Sequence, residues 1–267
     1  MRPAGPGIRP RKRFGQHFLH DPAVIERIAA AIAPLSGDAL VEIGPGRGAL
    51  TRHLLESDCG ALDAIEIDRD LAALLREEWG GEPRFHLRNE DALRVDFSAL
   101  ARQRGRKLRL VGNLPYNIST PLLFHLLRSV DDIQDLHVML QREVVARMAA
   151  RAGDAAYGRL TVMLSPWVEV ERLFDVGPGA FRPPPRVWSA VARLVVRAAP
   201  EFAPCPAFPA VVAAAFSHRR KTLRNALRGL ATAEQIESSG VDPSDRPETV
   251  SPVLFNAIAS KVKLPPG

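Results

Sequence analysis

A glycine-rich turn lies early in the chain, between a short apolar run and an amphipathic one. Residues 40–43 lead into GPGRG at 44–48, and a helical pattern follows. Glycines at such a turn let a ligand approach the backbone beside a helix N-terminus. The spacing is G-x-G-x-G, whereas the dinucleotide fingerprint has its third glycine one position later, where this chain has Ala49. The turn predicts a site for a nucleotide-like cofactor, and a tight turn without a ligand is the alternative.

Carboxylates follow the next two apolar runs. Glu66 comes about 20 residues after Gly44, where an acid can accept hydrogen bonds from both ribose hydroxyls. Asp68 is the rival, but Glu66 is nearer the expected spacing. Asp91, in NEDA at 89–92, could accept a hydrogen bond from an adenine amino group or could cap a helix. The turn and the two acids together predict a cofactor that contains adenosine.

Alternating strands and helices must position these groups. Buried strands are predicted where the chain has short continuous apolar runs, at 39–44, 62–68, 84–89, 108–113 and 136–140. Helices are predicted where amphipathic patterns separate these runs, at 21–34, 48–57, 69–79 and 120–129. This alternation is typical of a doubly wound α/β sheet. Two further strands, at 167–176 and 189–197, flank a Gly- and Pro-rich loop and fit a hairpin at the sheet edge.

The fourth predicted strand ends in N-L-P-Y at 113–116. This segment resembles the catalytic motif of N-methyltransferases that act on adenine N6, relatives of the D-P-P-Y and N-P-P-Y enzymes. The adenine amino nitrogen is a poor nucleophile because its lone pair is delocalised into the ring. The resemblance implies that the Asn113 side-chain oxygen and the Leu114 carbonyl accept the two amino hydrogens. Pro115 would stiffen the turn, and Tyr116 would stack on the base.

Further segments extend the resemblance over most of the chain. They are RKRFGQHFL at 11–19, VEIGPGRGALT at 41–51, GNLPYNISTPLLF at 112–124, AYGRLTVM at 156–163 and AFRPPPRVWSAVARL at 180–194. Together they resemble the ribosomal RNA adenine dimethyltransferase family, in its bacterial small-subunit branch. The resemblance implies a class I, Rossmann-like methyltransferase sheet with S-adenosylmethionine as methyl donor and no metal. It also implies N6,N6-dimethylation of two adjacent adenines near the 3′ end of 16S RNA in a pre-30S particle.

The family motifs assign roles to individual positions. The implied cofactor-binding residues are His17, Leu19, Gly44, Gly46, Glu66, Asp91 and Asn113. The family often reads F-G-Q-N-F-L, and His17 replaces that Asn, which leaves its contact open. Phe181 is implied as a second stacking surface for a flipped adenine, with a core Phe that anchors the loop as the alternative.

Basic residues predict a nucleic-acid partner. The formal net charge is +6, and Lys and Arg cluster in two places, the arm at 1–13 and the segment at 216–225. Arg228 would follow Arg224 by one helical turn. A solvated charged face is the alternative. The predicted RNA-binding residues are Arg11, Lys12, Arg13, Arg219, Arg220, Lys221 and Arg224.

Composition and the position of a Pro-rich segment predict the domain organisation of the chain. With 267 residues and 46% hydrophobic residues, one large domain and one small domain are expected. The Pro-rich segment 199–209 separates them, so that 1–13 is an arm, 14–198 the catalytic domain and 199–267 a helical RNA-binding domain. Two distant cysteines and apolar runs too short for a membrane span indicate a cytoplasmic protein, expected as a monomer.

Three other functions remain as alternatives. The nearest is the antibiotic-resistance branch that dimethylates large-subunit RNA and shares N-L-P-Y. The second is a binding factor for small-subunit maturation that uses methylation little. The third is a nicotinamide-dependent oxidoreductase, which is disfavoured because no Tyr-x-x-x-Lys pair accompanies the glycine turn.

Overall fold

A computed structural model describes residues 10–11, 15–218 and 220–263. Its main sheet is built mainly from the predicted apolar runs. Strands covered by helices on both faces bury all of their side chains and therefore have continuous apolar sequences. The strands are β1 (Phe18–Leu19), β2 (Ala39–Ile43), β3 (Ala61–Ile65), β4 (Phe85–Arg88), β5 (Leu108–Asn113), β6 (Ile133–Gln141), β7 (Val168–Val176), β8 (Phe181–Arg182) and β9 (Ser189–Val196). All five residues of β2 are buried.

The helices are α1 (Pro22–Ile32), α2 (Ala49–Glu56), α3 (Arg69–Trp79), α4 (Phe97–Arg104), α5 (Ser119–Leu126), α6 (Arg142–Met148), α7 (Arg159–Leu164), α8 (Phe208–Ala215), α9 (Leu223–Ala226), α10 (Ala233–Glu237) and α11 (Pro252–Ala259). Several helices, α1 among them, begin at a capping residue or a proline, whereas α2, α5 and α9 begin without a side-chain cap. At α1 the Asp21 carboxylate accepts hydrogen bonds from the Ala23 and Val24 amides, 3.0 and 3.3 Å away. Helix α4 was not among the predicted helices.

The main sheet has the strand order β4-β3-β2-β5-β6-β9-β7. Strands β4, β3, β2, β5 and β6 are parallel, and β9 is antiparallel to β6. This confirms the predicted α/β sheet. The chain moves outward from β2 to β4 and then returns to place β5 on the other side of β2. At such a switch point the connections leave in opposite directions, which opens a crevice at the carboxyl ends of the two strands.

Strands β2 and β5 approach each other closely at this switch point. A Cβ built on Gly112 would lie 2.4 Å from the Ile43 carbonyl oxygen, and Gly112 has a φ of 152°. Both observations require glycine, because any larger residue would push the strands apart. The close approach places Gly44 and Asn113, which follow and end these two strands, next to each other, since a Cβ built on Gly44 would lie 3.7 Å from the Asn113 carbonyl oxygen.

A second, two-stranded sheet was not predicted. Strand β1 pairs antiparallel with β8, with Phe18 opposite Arg182 and Leu19 opposite Phe181. The His20 amide extends the pairing by donating to the Ala180 carbonyl at 3.0 Å. The segment before α1 is therefore held against the loop between β7 and β9.

Two compact units divide the chain. The first contains residues 1–145 and 171–196, and the second contains 146–170 and 197–267. The predicted boundary near 199 differs from this division for residues 146–170. The physical reason is packing, because the side chains of Tyr157 and Val162 belong to the same apolar core as Phe208 and Phe255. The Tyr157 hydroxyl also donates to the Val250 carbonyl at 2.7 Å.

The predicted helical face around the second basic cluster is wrong in its geometry. Helix α8 ends at Ala215, and α9 is a separate turn at Leu223–Ala226. Leu223 and Leu227 are fully buried, so they anchor this turn in the core of the second unit. Arg228 lies beyond the end of α9 and does not continue a helical stripe from Arg224.

Candidate active site

A cavity of about 240 Å³ lies at the carboxyl ends of β2, β3 and β5, in the first unit. It brings together all of the predicted cofactor residues, which are His17, Leu19, Gly44, Gly46, Glu66, Asp91 and Asn113. Leu114, Pro115 and Tyr116 also line it. The sheet topology thus places residues nearly 100 positions apart in sequence around one space.

The glycine turn forms one wall of the cavity. Gly44, Gly46 and Gly48 all have positive φ, at 69°, 60° and 75°. A Cβ on Gly46 would lie 3.1 Å from the Phe18 ring, so a side chain there would collide with β1 as well as strain the backbone. Gly48 begins α2 without a side-chain cap, which leaves the amides of the first turn available to a ligand.

Glu66 is buried between this turn and the end of β3. One carboxylate oxygen accepts the Gly46 amide at 3.1 Å, and the other accepts the Asp68 amide at 2.9 Å. Burial raises the pKa of Glu66, and the two amide hydrogen bonds oppose that shift. Each oxygen keeps a second lone pair, so the carboxylate can accept two further hydrogen bonds from a ligand.

Asp68, the rival to Glu66, does not line the cavity. Its carboxylate caps α3 by accepting the Asp70 amide at 3.1 Å. It also accepts from the Gln16 side-chain amide at 3.1 Å and forms an ion pair with Arg11 at 3.1 Å. Because Glu66 lines the cavity and Asp68 does not, the geometry favours Glu66 as the ligand-binding acid.

Ile67 and Asp91 line the cavity beyond Glu66. Ile67 is 43% exposed although it is a large apolar residue, which suits a side chain that packs on a flat ring. One Asp91 oxygen caps a short 3-10 helix by accepting the Leu93 amide at 3.0 Å. The second oxygen remains, so capping and ligand binding are compatible at Asp91.

Asn113 is held in one orientation at the end of β5. Its side-chain amide donates to the His17 carbonyl at 2.9 Å, which identifies the other side-chain atom as an acceptor oxygen. The Leu114 amide donates to the Met139 carbonyl of β6 at 3.1 Å. The Pro115 carbonyl accepts from the Ile118 amide at 3.1 Å. N-L-P-Y is therefore a rigid turn with its first side chain at the cavity.

Tyr116 and His17 pack together beside Asn113. Their ring centroids lie 5.6 Å apart at an angle of 31°. The Tyr116 hydroxyl is 2.5 Å from the Ser189 hydroxyl, and burial raises the pKa of Tyr116. His17 Nδ1 lies 2.7 Å from the Pro183 carbonyl, and because a carbonyl oxygen can only accept, Nδ1 donates this hydrogen bond. These contacts locate the His17 side chain, whose role the sequence left open.

Phe181 is placed differently from its predicted role. It is only 2% exposed and packs in the apolar core of the first unit with Val176 and Val191. It does not line the cavity. A residue that is only 2% exposed offers little surface to a base, so this arrangement corresponds to the alternative of a core Phe that anchors the loop.

Glu42 is a cavity residue that the sequence reasoning missed. It is 2% exposed on β2, and its carboxyl accepts from the Thr51 hydroxyl at 2.6 Å. Burial raises its pKa to about 7, the Thr51 hydrogen bond lowers it, and the charge of Glu66 adds to the rise. The available signal was an acid inside an otherwise apolar strand, which is uncommon without a functional or structural cause.

The sequence comparisons identify the family. The sequence profile described as ribosomal RNA adenine dimethylase matches residues 7–263. The chain belongs to this family. Ribosomal RNA small subunit methyltransferase A of Nitrosococcus oceani is 56% identical over 92% of the chain and 93% of the relative. The Pseudomonas aeruginosa protein of the same name is 52% identical over 97% of each chain.

Solved structures agree with the fold of this rRNA adenine dimethylase. The crystal structure of the 23S rRNA methyltransferase ErmE is similar with a TM-score of 0.69 and 28% identity, over 91% of this chain and 98% of that one. A dimethyladenosine transferase from Plasmodium falciparum has a TM-score of 0.74 at 23% identity, over 91% and 96%. The predicted class I methyltransferase fold is confirmed.

The predicted RNA-binding residues of this dimethylase separate into three groups. Arg220, Lys221 and Arg224 are exposed in the second unit. Arg11 forms ion pairs with Asp68 and Asp70, which the sequence did not predict, and its RNA contact stays a prediction. Lys12, Arg13 and Arg219, with most of the arm at 1–13, lie outside the described residues.

Within residues 10–11, 15–218 and 220–263, no group of three or more His, Cys, Asp or Glu side chains is arranged to hold a metal ion. The helices of that same part are all too short or too polar to cross a membrane.

Proposed function

We propose that this chain transfers methyl groups from S-adenosylmethionine to N6 of two adjacent adenines near the 3′ end of 16S rRNA, giving N6,N6-dimethyladenine. The observation that carries the proposal is the fixed Asn113 side chain. Its amide nitrogen donates a hydrogen bond to the His17 carbonyl, and its oxygen remains at the cavity. The test is incubation with tritiated S-adenosylmethionine and unmethylated small subunits, followed by mapping of the label. Label on any other nucleotide contradicts the proposal.

The cavity residues fit S-adenosylmethionine. Glu66 would accept the ribose hydroxyls with its two remaining lone pairs, and the glycine turn would let the ligand lie against the backbone. Ile67 would pack on the adenine ring of the cofactor, and Asp91 would accept from its amino group. Once bound, the cofactor supplies a methyl group on a sulfonium, an already activated donor.

The side of the cavity formed by N-L-P-Y at 113–116 would hold the target adenine. The Asn113 oxygen and the Leu114 carbonyl would accept the two amino hydrogens and hold the nitrogen in line with the methyl group. Tyr116, braced by Ser189 and His17, would stack on the base after it leaves its own stack. No side chain of the described cavity needs to act as a covalent nucleophile in this arrangement.

RNA affinity would come mainly from the second unit. Arg220, Lys221 and Arg224 expose three cations within five residues, and such clusters gain affinity for phosphates by releasing counterions. The substrate would be RNA within a pre-30S particle in the cytoplasm, and the enzyme would act as a monomer.

The large-subunit alternative is tested in the same assay. ErmE, named as a 23S rRNA methyltransferase, is 28% identical, whereas the relatives at 52–56% identity are named for the small subunit. Small and large subunits incubated in parallel should therefore show label on the small-subunit RNA. A maturation factor without catalysis would label neither.

A further inference from the structure

An exposed aromatic residue lies next to the strand that braces the target side of the cavity. Trp188 is 49% exposed and its neighbour Val187 is 45% exposed, in a chain whose other large apolar residues are mostly buried. Trp188 directly precedes Ser189, whose hydroxyl contacts Tyr116 at 2.5 Å. An apolar surface next to a substrate site, and continuous with it along the backbone, marks an interaction surface.

The backbone of Trp188 is fixed, and its ring lies beside Gly177. A Cβ built on Gly177 would lie 3.6, 3.7 and 3.9 Å from three adjacent carbons of the indole, so Gly177 is a neighbour of the six-membered ring. The Trp188 carbonyl accepts the Arg142 amide at 2.9 Å, which fixes the backbone. The position of Trp188 is therefore set by its main chain, while about half of the residue stays exposed.

Exposed arginines lie near this ring in space or in sequence. The Arg142 guanidinium lies over the Trp188 ring, 5.9 Å from the ring centroid, which is a longer distance than the 3.9 Å of Arg27 over Phe174. The Arg142 side chain is 53% exposed and lies 3.9 Å from Asp175. Arg182 and Arg186, in the segment that leads to Trp188, are exposed as well. A half-exposed aromatic ring beside exposed cations is the combination that binds single-stranded nucleic acid.

We infer that Trp188 is a stacking platform for a nucleotide that flanks the target adenine, with Arg142, Arg182 and Arg186 as contacts for the neighbouring phosphates. This inference rests on the proposed function, since it concerns the RNA strand whose base enters the cavity. The occupant is single-stranded RNA because the loop combines positive charge with an aromatic face, and because the backbone leads directly from Trp188 to the Tyr116 contact. Trp188 acts on binding and positioning, and it does not touch the reacting atoms.

The test compares Trp188→Ala with Trp188→Phe in methyl transfer to unmethylated small subunits. Loss of one base stack should raise KM for the RNA about tenfold. The kcat and the Kd for S-adenosylmethionine should change less than about twofold, because the cavity itself is intact. Trp188→Phe keeps an aromatic face and should retain most of the affinity. An unchanged KM in Trp188→Ala overturns the inference.

Leu35→Ala is the matched control, since it also truncates an exposed apolar side chain of the first unit. Leu35 is 65% exposed and precedes the amino end of β2, whereas the cavity lies at the carboxyl end of that strand. It should leave KM unchanged. A rise in KM as large as that of Trp188→Ala would mean that loss of any exposed apolar side chain has this effect, and would overturn the inference.

A binding assay separates failure of this inference from failure of the proposed function. The probe is a short single-stranded RNA with two adjacent adenines, added without cofactor, and the readout is tryptophan fluorescence. A stacked base should quench Trp188, so quenching should be lost in Trp188→Phe. Quenching by this RNA, together with no methyl transfer to small subunits in the cofactor-containing assay above, would refute the proposed activity and keep the RNA platform. Equal quenching in the wild type and Trp188→Phe would refute the platform, whatever the activity.

Discussion

The Asn113 side-chain amide donates a hydrogen bond to the backbone carbonyl of His17, 2.9 Å away. The two residues lie on different elements, since Asn113 ends β5 and His17 precedes β1. Because the carbonyl can only accept, it holds the Asn113 nitrogen on its side and the oxygen on the other. The segment before α1 thereby orients the proposed acceptor for the target amine without using the His17 ring.

Asn113→Ala should therefore reduce methyl transfer by about 10²–10³-fold, because removal of a preorganised hydrogen-bond partner at a reacting centre has an effect of this size. Binding of S-adenosylmethionine should weaken by tenfold at most. Single-turnover rates and calorimetry measure the two effects separately. Asn113→Asp keeps an acceptor but loses the donor to His17, so partial activity is expected. Intact turnover in Asn113→Ala would exclude the acceptor mechanism.

Glu66→Ala should weaken S-adenosylmethionine binding by about 1–3 kcal/mol, because two ribose hydroxyls lose a charged acceptor. Isothermal titration measures the affinity. Asp68→Ala is the matched control, since Asp68 caps α3 and does not line the cavity. It should lower the free energy of unfolding by about 1 kcal/mol and change cofactor affinity less than Glu66→Ala does. The reverse order of the two effects on affinity would assign the ribose contact to Asp68.

The sheet and the cavity residues follow from the sequence because both depend on local patterns. Fully buried parallel strands are continuous apolar runs, and their carboxyl ends must meet at one edge, which brings Glu66 and Asn113 together. Strands β1 and β8 were not predicted because each has only two residues, which is too short to show a periodic pattern. Their pairing also depends on packing between segments distant in sequence. Glu42 was missed because a single acid in a strand has no spacing signal.

Ion pairs could not be predicted where the partners are remote in sequence. Arg11 belongs to a basic arm by composition, yet its ion pairs with Asp68 and Asp70 join residues far apart in the chain. No local pattern encodes them. The basic cluster near residue 220 is exposed as expected, but Leu223 and Leu227 are core residues, and their burial ends the helical face. Tertiary packing overrode the helical pattern there.

Replacing Arg220, Lys221 and Arg224 together with Ala should weaken RNA binding and reduce its salt dependence, by up to about one slope unit for each lost phosphate contact. Binding titrations at several salt concentrations measure the slope. All three side chains are exposed, so the fold should be retained. Arg11→Ala is the control because its guanidinium is engaged by two carboxylates, and it should leave the slope unchanged. An unaltered slope in the triple variant would mean that this cluster is only solvated.

Glu42 should make the stability of the protein depend on pH. Burial raises the pKa of its carboxyl from 4.5 to about 7 in the folded chain. Between these values the unfolded chain ionises while the folded chain stays protonated, so the contribution to stability is complete below pH 4.5 and is lost as pH rises to 7. The loss is on the order of 3 kcal/mol.

Glu42→Gln removes this ionisation and can keep the hydrogen bond from Thr51, because the Gln side-chain oxygen is also an acceptor. The variant should match the wild type in free energy of unfolding near pH 4 and exceed it near pH 8. Denaturant titrations at both values, without cofactor so that ligand binding adds nothing, measure the difference. Glu56→Gln, an exposed acid at the end of α2, should change the free energy little at either pH. Parallel pH profiles for the wild type and Glu42→Gln would show that Glu42 ionises equally in the folded and unfolded chains.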